Sequence, residues 1–286
     1  MRALPLTNLR FYSDAEDRVV HAAIESAVGE CMRARGFQYP AREFVARPLD
    51  TVLDYPFGPW TQEEIQDGGY DFLPHPEPDA SLDEYLVTLS QSELDAWSDA
   101  FVGVQGEPLE AELPDGRTVE SGFRSADGCN YEAASAIFGD YADYEAMRQE
   151  LDRLREAAWD EARAHPAIER ALDEWRVCMG DLGYQYDSPN APLAEFVGQD
   201  GEEHVHAETE PAPHDHDDAA PTEAEMRVSE ADVGCKEEVG LHDIWYGLKQ
   251  AAEQRSLEEE PEIIEGWRSV RADALAIAQA AVDDGE

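Results

Sequence analysis

The sequence predicts a mainly α fold with two related helical halves, long irregular loops, a small β-hairpin and a C-terminal helical hairpin. Two observations support this prediction. Apolar residues recur at helical spacing ahead of two copies of one cysteine-marked motif. The stretches between these periodic segments are rich in Pro and Gly, which interrupt helices and favour loops. With 286 residues, of which 42% are hydrophobic, the chain can bury a sizeable core.

The repeated motif has the pattern Cys-Met-x-x-x-Gly-aromatic-Gln-Tyr and occupies residues 31–39 and 178–186. An apolar stripe at helical spacing precedes each copy. The stripes consist of Val20, Ile24, Ala27 and Val28 before the first copy and of Ile168, Leu172 and Trp175 before the second. Gly36 and Gly183 stand where a helix takes a left-handed C-terminal cap. Each copy is therefore predicted to be the last turn of an amphipathic helix whose cysteine faces the core.

Each motif cysteine is followed later in the chain by a second cysteine. Cys129 and Cys235 both come directly after a glycine, and both are predicted to open a new helix. The simplest pairing joins Cys31 to Cys129 and Cys178 to Cys235, one disulfide in each half. Four cysteines allow three connectivities, so the other two stay open. A Cys₄ metal site and buried free thiols are further alternatives, although the short Cys spacings of structural zinc sites are absent.

The first helix is predicted over residues 14–36. Residues 40–128 are rich in Pro, Gly and aromatic residues and are expected to be irregular, apart from two elements. One is a short helix that the capping-box pair Ser90 and Glu93 opens. The other is a β-hairpin over residues 109–121, around a Pro-Asp-Gly turn.

Helices are expected to dominate from Cys129 onward. A seam of apolar residues predicts a long helix that ends near His165, and Pro166 then starts the helix of the second motif. The seam consists of Tyr144, Met147, Leu151, Leu154 and Ala158. A second irregular insert is expected over residues 187–228.

The C-terminal part is predicted to form two long helices. Ser229 and Asp232 look like a capping pair that opens a helix reaching about Leu257. Pro261 should open the last helix, in which the apolar positions are Ile263, Trp267, Val270, Ala274, Ile277 and Ala281. Two long helices joined by a short break predict an antiparallel hairpin.

These elements divide the sequence into two modules. Residues 1–140 contain the first cysteine motif and the loop region rich in Pro, Gly and aromatic residues. Residues 141–286 contain the second cysteine motif, a His/Asp-rich insert at about residues 201–221 and the C-terminal helical hairpin. The two modules are expected to form one compact unit.

The net charge of −44 limits the classes of partner. Such a surface repels the phosphates of nucleic acids and anionic lipid headgroups, so no nucleic-acid partner is expected. No apolar run approaches the roughly 20 residues that cross a bilayer, so no transmembrane segment is expected. The even number of cysteines favours an oxidising location outside the cytoplasm.

The motifs that mark common enzyme classes do not occur in the sequence. It has no Gly-x-Ser-x-Gly elbow, no phosphate-binding loop, no His-Glu-x-x-His and no dinucleotide-binding glycine pattern. With 65 acidic residues, any pair of carboxylates that could act as acid and base carries almost no information. The chain is therefore predicted not to be an enzyme, and an enzyme whose site is invisible in the sequence is the weaker alternative.

One histidine-rich stretch suggests metal binding. His204, His206, His214 and His216 form two His-x-His pairs among Asp and Glu residues. In an extended chain, residues two apart point the same way, so each pair could hold one Zn, Ni or Cu ion weakly. No other cofactor is predicted. The competing interpretation is an acidic linker in which histidines have no metal to bind.

An aromatic cluster in the first loop could line a groove for a peptide or a glycan. It consists of Tyr55, Phe57, Trp60, Tyr70 and Phe72. More often such residues pack a long loop onto the helices beneath it, and this interpretation is favoured.

Together, these motifs resemble a group of actinobacterial secreted proteins and predicted lipoproteins of unknown function. The segments that carry the resemblance are Leu4-Pro5-Leu6, Cys31-Met32, Gly36-Phe37, Leu89-Ser90, Leu113-Pro114-Asp115-Gly116, Gly128-Cys129, Cys178-Met179, Gly183-Tyr184 and Ala231-Asp232-Val233. The resemblance implies export and paired cysteines, with no assigned catalysis. The sequence departs from the group because it shows no signal peptide or lipobox, and Glu30 with no apolar run ahead of it excludes Cys31 as a lipid acceptor.

The sequence thus predicts a non-enzymatic protein of the cell envelope or exterior that acts as a binding or interaction module. Its partner is expected to be a protein, a peptide or a glycan, contacted by the loops between the cysteine motifs. A transition-metal-binding protein that uses the histidine-rich insert is the alternative.

Overall fold

The computed structural model describes residues 4–10, 13–44, 55–72, 80–197 and 220–285. Within these ranges it is a mainly α structure with one small antiparallel hairpin, as the sequence predicts. The helices are α1 (Pro5–Arg10), α2 (Asp14–Ala34), α3 (Gln62–Ile65), α4 (Ala80–Leu86), α5 (Gln91–Val102), α6 (Cys129–Phe138), α7 (Tyr141–Arg163), α8 (Pro166–Asp181), α9 (Asn190–Phe196), α10 (Glu223–Glu238), α11 (Leu241–Glu259) and α12 (Pro261–Gly285). None of these helices is long and apolar enough to cross a membrane.

The contacts divide the chain into two units. Unit 1 contains Met1–Arg47, Pro76–Trp159 and Gln250–Glu286, and unit 2 contains Pro48–His75 and Asp160–Lys249. This division differs from the modules 1–140 and 141–286 of the sequence analysis. The aromatic loop that follows the first motif belongs to unit 2, because its buried rings contact residues of α9, α10 and α11, and α12 belongs to unit 1.

Unit 1 is built around α2. A capping box fixes the start of this helix, since the Ser13 N–H donates to the Glu16 carboxylate at 2.8 Å and the Ser13 hydroxyl accepts from the Glu16 N–H. α12 and α6 pack along α2, and α5 packs on α6. The shared core contains Val20, Ala23, Val28 and Met32 from α2, Ala133 and Ile137 from α6 and Ala278 from α12.

The hairpin of unit 1 lies over a second part of this core. Strands β1 (Val104–Glu112) and β2 (Thr118–Ala126) pair antiparallel around the predicted turn. Only one end of β1 is buried, where Leu109 and Ala111 pack with residues of α7 and α12. Those residues include Met147, Leu151, Ile263 and Trp267. Since alternate residues of a strand point to one face, the hairpin covers the helices with a single apolar side.

Unit 2 is held by α8 and α10, which pack against each other. Trp175, Met179 and Cys235 form its buried centre. α3 and α9 also pack on α10. The segment that contains α3 brings Phe57 and Trp60 under cover, with Phe57 edge-on to the Trp245 ring at 5.6 Å between centroids.

Both copies of the motif end a helix in the same way. At the end of α2 the Phe37 N–H donates to the Met32 carbonyl at 2.9 Å, and Gly36 has φ +87°. At the end of α8 the Tyr184 N–H donates to the Met179 carbonyl at 2.9 Å, and Gly183 has φ +91°. These are Schellman caps, which satisfy carbonyls that the helix leaves unpaired, so the predicted glycine caps are confirmed.

The disulfides join Cys31 to Cys129 and Cys178 to Cys235, with sequence separations of 98 and 57 residues. This is the simplest pairing that the sequence suggested, and no cysteine is free. The two bridges indicate an oxidising environment.

The cysteine of each motif packs against the core, as predicted, but it is only half-buried. The fully buried residue of each copy is the next one, Met32 or Met179, because one residue turns the helix face by about 100°. Likewise Ile277 is 40% exposed, whereas Ala278 is buried.

The helix expected from Ser229 to Leu257 is two helices. α10 begins earlier, where the Thr222 hydroxyl accepts from the Glu225 N–H, and it ends before Gly240, which has φ +67°. Cys235 therefore lies inside α10 and does not open it. Asp232 is also not a cap, because it is buried in the middle of this helix. The loops also contain helices that the sequence analysis did not predict, among them α3, α4 and α9.

Candidate functional site

A groove runs along one face of α2, between that helix and residues 39–44 of unit 1. Its volume is about 450 Å³. From the helix, Arg18, Glu25, Gly29 and Arg33 line the groove. Their spacing places them on one side of a helix, in a row almost parallel to its axis.

The second wall runs antiparallel to α2. Tyr39 faces Gly29, Arg42 faces Glu25 and Phe44 faces His21. From Gly29 to His21 the helix advances roughly 12 Å. The five steps from Tyr39 to Phe44 cover this distance at roughly 2.4 Å each, which lies between the rise of a helix and that of a fully extended strand. The groove therefore has a helix on one side and an irregular segment that runs antiparallel to it on the other.

Glu25 attaches this wall to the helix. Its side chain is 4% exposed and accepts four hydrogen bonds. The Tyr39 hydroxyl and the Arg42 backbone N–H donate to Oε2 at 3.0 and 2.9 Å. Nε and Nη2 of Arg42 donate to Oε1 at 3.0 and 2.6 Å. A carboxylate with this many donors is a fixed acceptor, so it holds residues 39–42 in place.

The charge of Glu25 and the burial of the wall change the acidity of its partners. Burial and the nearby Glu25 carboxylate raise the pKa of Tyr39, so this phenol stays neutral well past its ordinary titration range. Hydrogen bonds to Glu25 raise the pKa of Arg42. The middle of the groove is thus occupied by the ion pair of Glu25 and Arg42.

The two ends of the groove carry the guanidinium groups of Arg18 and Arg33, whose surroundings differ from those of Arg42. Arg18 lies over the Phe44 ring, with 4.8 Å from Cζ to the ring centroid. Arg33 folds back along α2, where its Nη1 would be 3.4 Å from a Cβ at Gly29. Within the described parts of the chain, neither side chain makes an ion pair. Both residues are exposed, so their donors can reach a ligand in the groove.

This arrangement contrasts with the charge of the rest of the protein. The chain has 21 Lys and Arg residues against 65 Asp and Glu residues. Among the residues that line the groove, three are arginines and one is a glutamate, which Arg42 neutralises. Guanidinium groups bind carboxylates and phosphates through paired hydrogen bonds. The groove is therefore suited to an oxyanion.

The sequence analysis singled out other residues for a site. His204, His206, His214 and His216 lie outside the described residues. Of the aromatic cluster, Phe57, Trp60 and Tyr70 are at most 5% exposed, which confirms that this loop packs onto helices. The described residues contain no group of three or more His, Cys, Asp or Glu side chains placed to hold a metal ion.

Unit 2 contains a second cluster of polar side chains, and it is fully buried. Lys236 and Asp232 are both 0% exposed and form an ion pair at 2.7 Å between Nζ and Oδ2. The Trp175 Nε1–H donates to Asp232 Oδ1 at 3.0 Å, and the Tyr70 hydroxyl donates to Oδ2 at 3.2 Å. Lys236 also donates to the Pro59 carbonyl at 3.0 Å.

This buried cluster joins the loop of residues 55–72 to α8 and α10. Burial raises the pKa of Asp232 and lowers the pKa of Lys236, because loss of water disfavours both charges, and their mutual attraction opposes these shifts. Every member has a hydrogen-bond partner. Because a ligand has no access to Asp232 or Lys236, the cluster is suited to holding the loop and not to binding.

Sequence reasoning missed both clusters. The spacing of Asp232 and Lys236, four residues apart in a helix, was the available signal for the ion pair. Arg18, Gly29 and Arg33 also share one helix face in the sequence. That pattern becomes a groove only because residues 39–44 return along α2, and this return has no periodic signature.

No family model, curated protein or solved structure matches this chain.

Proposed function

We propose that this chain is a non-enzymatic binding protein that works outside the cytoplasm and takes an oxyanion ligand, a carboxylate or a phosphate group, in the α2 groove. One observation carries the proposal: Arg18 and Arg33 line one groove of a protein with net charge −44, and neither makes an ion pair within the described residues. The two disulfides support an oxidising location, and export by the cell is the finer part of the proposal.

The local charge, and not the net charge, decides whether an anion binds. At physiological ionic strength the field of a surface charge decays over about 8 Å, so distant carboxylates weigh little against guanidinium groups at contact. A guanidinium forms two charge-assisted hydrogen bonds with one oxyanion, and because both groups are exposed each such pair contributes roughly 0 to 1 kcal/mol. Two such contacts therefore give weak binding, which added salt weakens further.

Nuclear magnetic resonance of the arginine Nε–Hε groups tests this proposal directly. On titration with inorganic phosphate, and separately with acetate, we expect the signals of Arg18 and Arg33 to shift and to saturate. Arg170 is the internal control, because it is exposed on α8 and does not line the groove. R18Q and R33Q together should abolish the saturable shifts, while R170Q should leave them unchanged. Equal shifts at all three arginines would show unspecific ion binding and contradict the proposal.

The transition-metal function stays a separate prediction, since its histidines lie outside the described residues. Calorimetric titration with Zn²⁺ or Ni²⁺, before and after deletion of residues 201–220, separates the two functions. The groove lies within residues 18–44, outside this deletion. The R18Q/R33Q double variant is therefore the corresponding variant for the groove function.

A further inference from the structure

We infer that the Cys31–Cys129 bridge is the site at which this chain undergoes thiol–disulfide exchange with small anionic thiols, whereas the Cys178–Cys235 bridge resists them. This property goes beyond the proposed function and does not depend on the groove. The repeated motif gives the two bridges similar surroundings. They differ in the charge beside the accessible sulfur and in the helix end that carries the buried sulfur.

Each bridge has one accessible sulfur and one buried sulfur. The motif cysteines, Cys31 and Cys178, are half-buried, whereas Cys129 and Cys235 are 0% and 1% exposed. An incoming thiolate must reach the sulfur that it attacks, so exchange begins at the motif cysteine and releases the buried one.

The exchange at the first bridge has two steps. A thiolate R–S⁻ forms a bond to Cys31 Sγ, the bond between Cys31 and Cys129 breaks, and its electron pair leaves on Cys129, which takes a proton from water. A second R–S⁻ then attacks the sulfur of R in the mixed disulfide, which gives R–S–S–R and the Cys31 thiolate. Two small thiols are thus oxidised while one bridge is reduced.

A glutamate lies beside the accessible sulfur of both bridges. It stands three residues after the buried cysteine in each case. Glu132 Oε2 lies 3.3 Å from Cys31 Sγ, and Glu238 Oε2 lies 3.7 Å from Cys178 Sγ. A carboxylate at this distance repels an approaching thiolate. Its effect therefore depends on whether a cation compensates it.

Only the first glutamate has such a cation among the described residues. Nη2 of Arg35 lies 2.6 Å from Glu132 Oε1, and Nη1 of Arg35 donates to the Asp127 carbonyl. Glu238 makes no ion pair within the described parts of the chain. The motif position of Arg35, four residues after the cysteine, is occupied in the second copy by Leu182, which is 58% exposed. An anionic thiol therefore meets a guanidinium at the first bridge and an uncompensated carboxylate at the second.

The released cysteines lie at opposite helix ends. Cys129 is the first residue of α6, whereas Cys235 is in the last turn of α10. The N-terminus of a helix stabilises a thiolate, and the C-terminus destabilises it. Since the more stable thiolate leaves faster, this difference also favours exchange at the first bridge. Both buried sulfurs pack among apolar residues, so burial alone does not distinguish them.

Exchange at the first bridge would change unit 1 and leave unit 2 bridged. The end of α2 would lose its covalent link to the start of α6, and the two helices would be held by their packing alone. Such a response gives the chain one redox-sensitive link and one permanent link.

Timed reduction of the whole, fully oxidised chain tests the inference. The reductants are mercaptoethanesulfonate, which is anionic, mercaptoethanol, which is neutral, and cysteamine, which is cationic. Samples are quenched in acid, unfolded and alkylated, and peptide masses give the reduced fraction of each bridge. Comparison of the two bridges under one reductant cancels the reactivity of the thiol itself. With the anionic thiol we expect the Cys31–Cys129 bridge to be reduced at least about fivefold faster, and with cysteamine we expect a smaller ratio.

Exchange of the residues at the fourth position after each motif cysteine gives the matched variants. L182R should speed reduction of the Cys178–Cys235 bridge by the anionic thiol about threefold relative to cysteamine, and R35L should slow reduction of the Cys31–Cys129 bridge by a similar factor. R170Q, on the exposed surface of α8, should change neither ratio. Loosening of the fold by R35L would speed reduction by all three thiols, so the comparison of anionic with cationic thiol isolates the charge effect. Equal rates at the two bridges with the anionic thiol, or no effect of L182R, would overturn the inference.

Discussion

At the scale of single residues, the buried ion pair of Asp232 and Lys236 constrains the fold most clearly. An ion pair with complete hydrogen bonding can be close to neutral in its net contribution to stability, because desolvation of both charges offsets their attraction. Removing one partner is different, since the other charge then stays buried without compensation. The pair is thus better understood as a requirement for one arrangement of the loop on α8 and α10 than as a source of stability.

Lys236→Met is therefore expected to lower the free energy of unfolding by roughly 3 to 5 kcal/mol at pH 8. Without the lysine, the folded-state pKa of Asp232 rises further above its unfolded value. A group with a raised folded pKa contributes stability at low pH that is lost as the pH rises through that pKa. The defect of the variant should thus shrink as the pH falls from 8 toward 4, as measured by urea unfolding at each pH.

The double variant D232N/K236M is the control for this experiment. Asparagine keeps an oxygen that accepts hydrogen bonds from Trp175 or Tyr70, but it has no charge to titrate. Its stability relative to the wild type should vary much less with pH than that of K236M. An equal defect of K236M at both ends of the pH range would contradict the role assigned to Asp232.

Residue patterns also limit what the sequence alone reveals about the groove. The positions of Arg18, Glu25 and Arg33 on one helix face are evident from their spacing. The hydrogen bonds from Tyr39 and Arg42 to Glu25 are not, because they depend on the path of an irregular segment. Helical periodicity therefore gives one wall of the groove, and only the tertiary structure gives the other.

At the scale of elements, the cysteine motif was predictable because its parts act locally. Its signals are a glycine with positive φ, a preceding apolar stripe and a following aromatic residue, and all three lie close together along the chain. The start of α10 was missed for a related reason. Ser229 and Asp232 imitate a capping pair, whereas the true cap, Thr222, stands seven residues earlier beside a low-complexity stretch.

The two glycines at the end of α8 give a matched test of the cap. Gly183 has φ +91°, a conformation that strains any residue with a Cβ, whereas Gly180 lies inside the helix, where a Cβ would meet nothing within 4 Å. Gly183→Ala should lower the free energy of unfolding by about 1 kcal/mol. Gly180→Ala should raise it by roughly 0.5 to 1 kcal/mol, because alanine favours helix. Urea unfolding of both variants measures the difference, and the same sign for both would be evidence against the cap.

At the scale of the whole molecule, the net charge of −44 should govern how fast the ligand arrives. At low salt the negative field extends roughly 30 Å and repels an anionic ligand before it reaches the arginines. At physiological salt this range falls to about 8 Å, while contact with the guanidinium groups is less affected.

The association rate constant of a carboxylate ligand is therefore expected to rise between about 10 mM and 150 mM salt. Stopped-flow fluorescence with a fluorescently labelled carboxylate measures it. NaCl and KCl should act alike if ionic strength is the cause. A rate constant that falls as salt is added would mean that the local arginines, and not the net charge, dominate the encounter.

The organisation of the whole chain was harder to predict than its elements. Helix content and the hairpin follow from local periodicity and turn chemistry, and the structure agrees with both. The division into units depends on which distant segments pack together. α12 carries an apolar stripe that fits any helical core, and nothing in its sequence shows that it packs on α2 and α6.

The position of α12 has a consequence for biogenesis. Synthesis from the N-terminus supplies every residue of unit 2 before any residue of α12. Unit 1 must wait, because Ile263, Trp267 and Ala278 complete its core from the last helix. During that interval the apolar face of α2 is uncovered, although Cys31 and Cys129 are both already present. Early closure of that disulfide would keep α2 and α6 together until the last helix arrives.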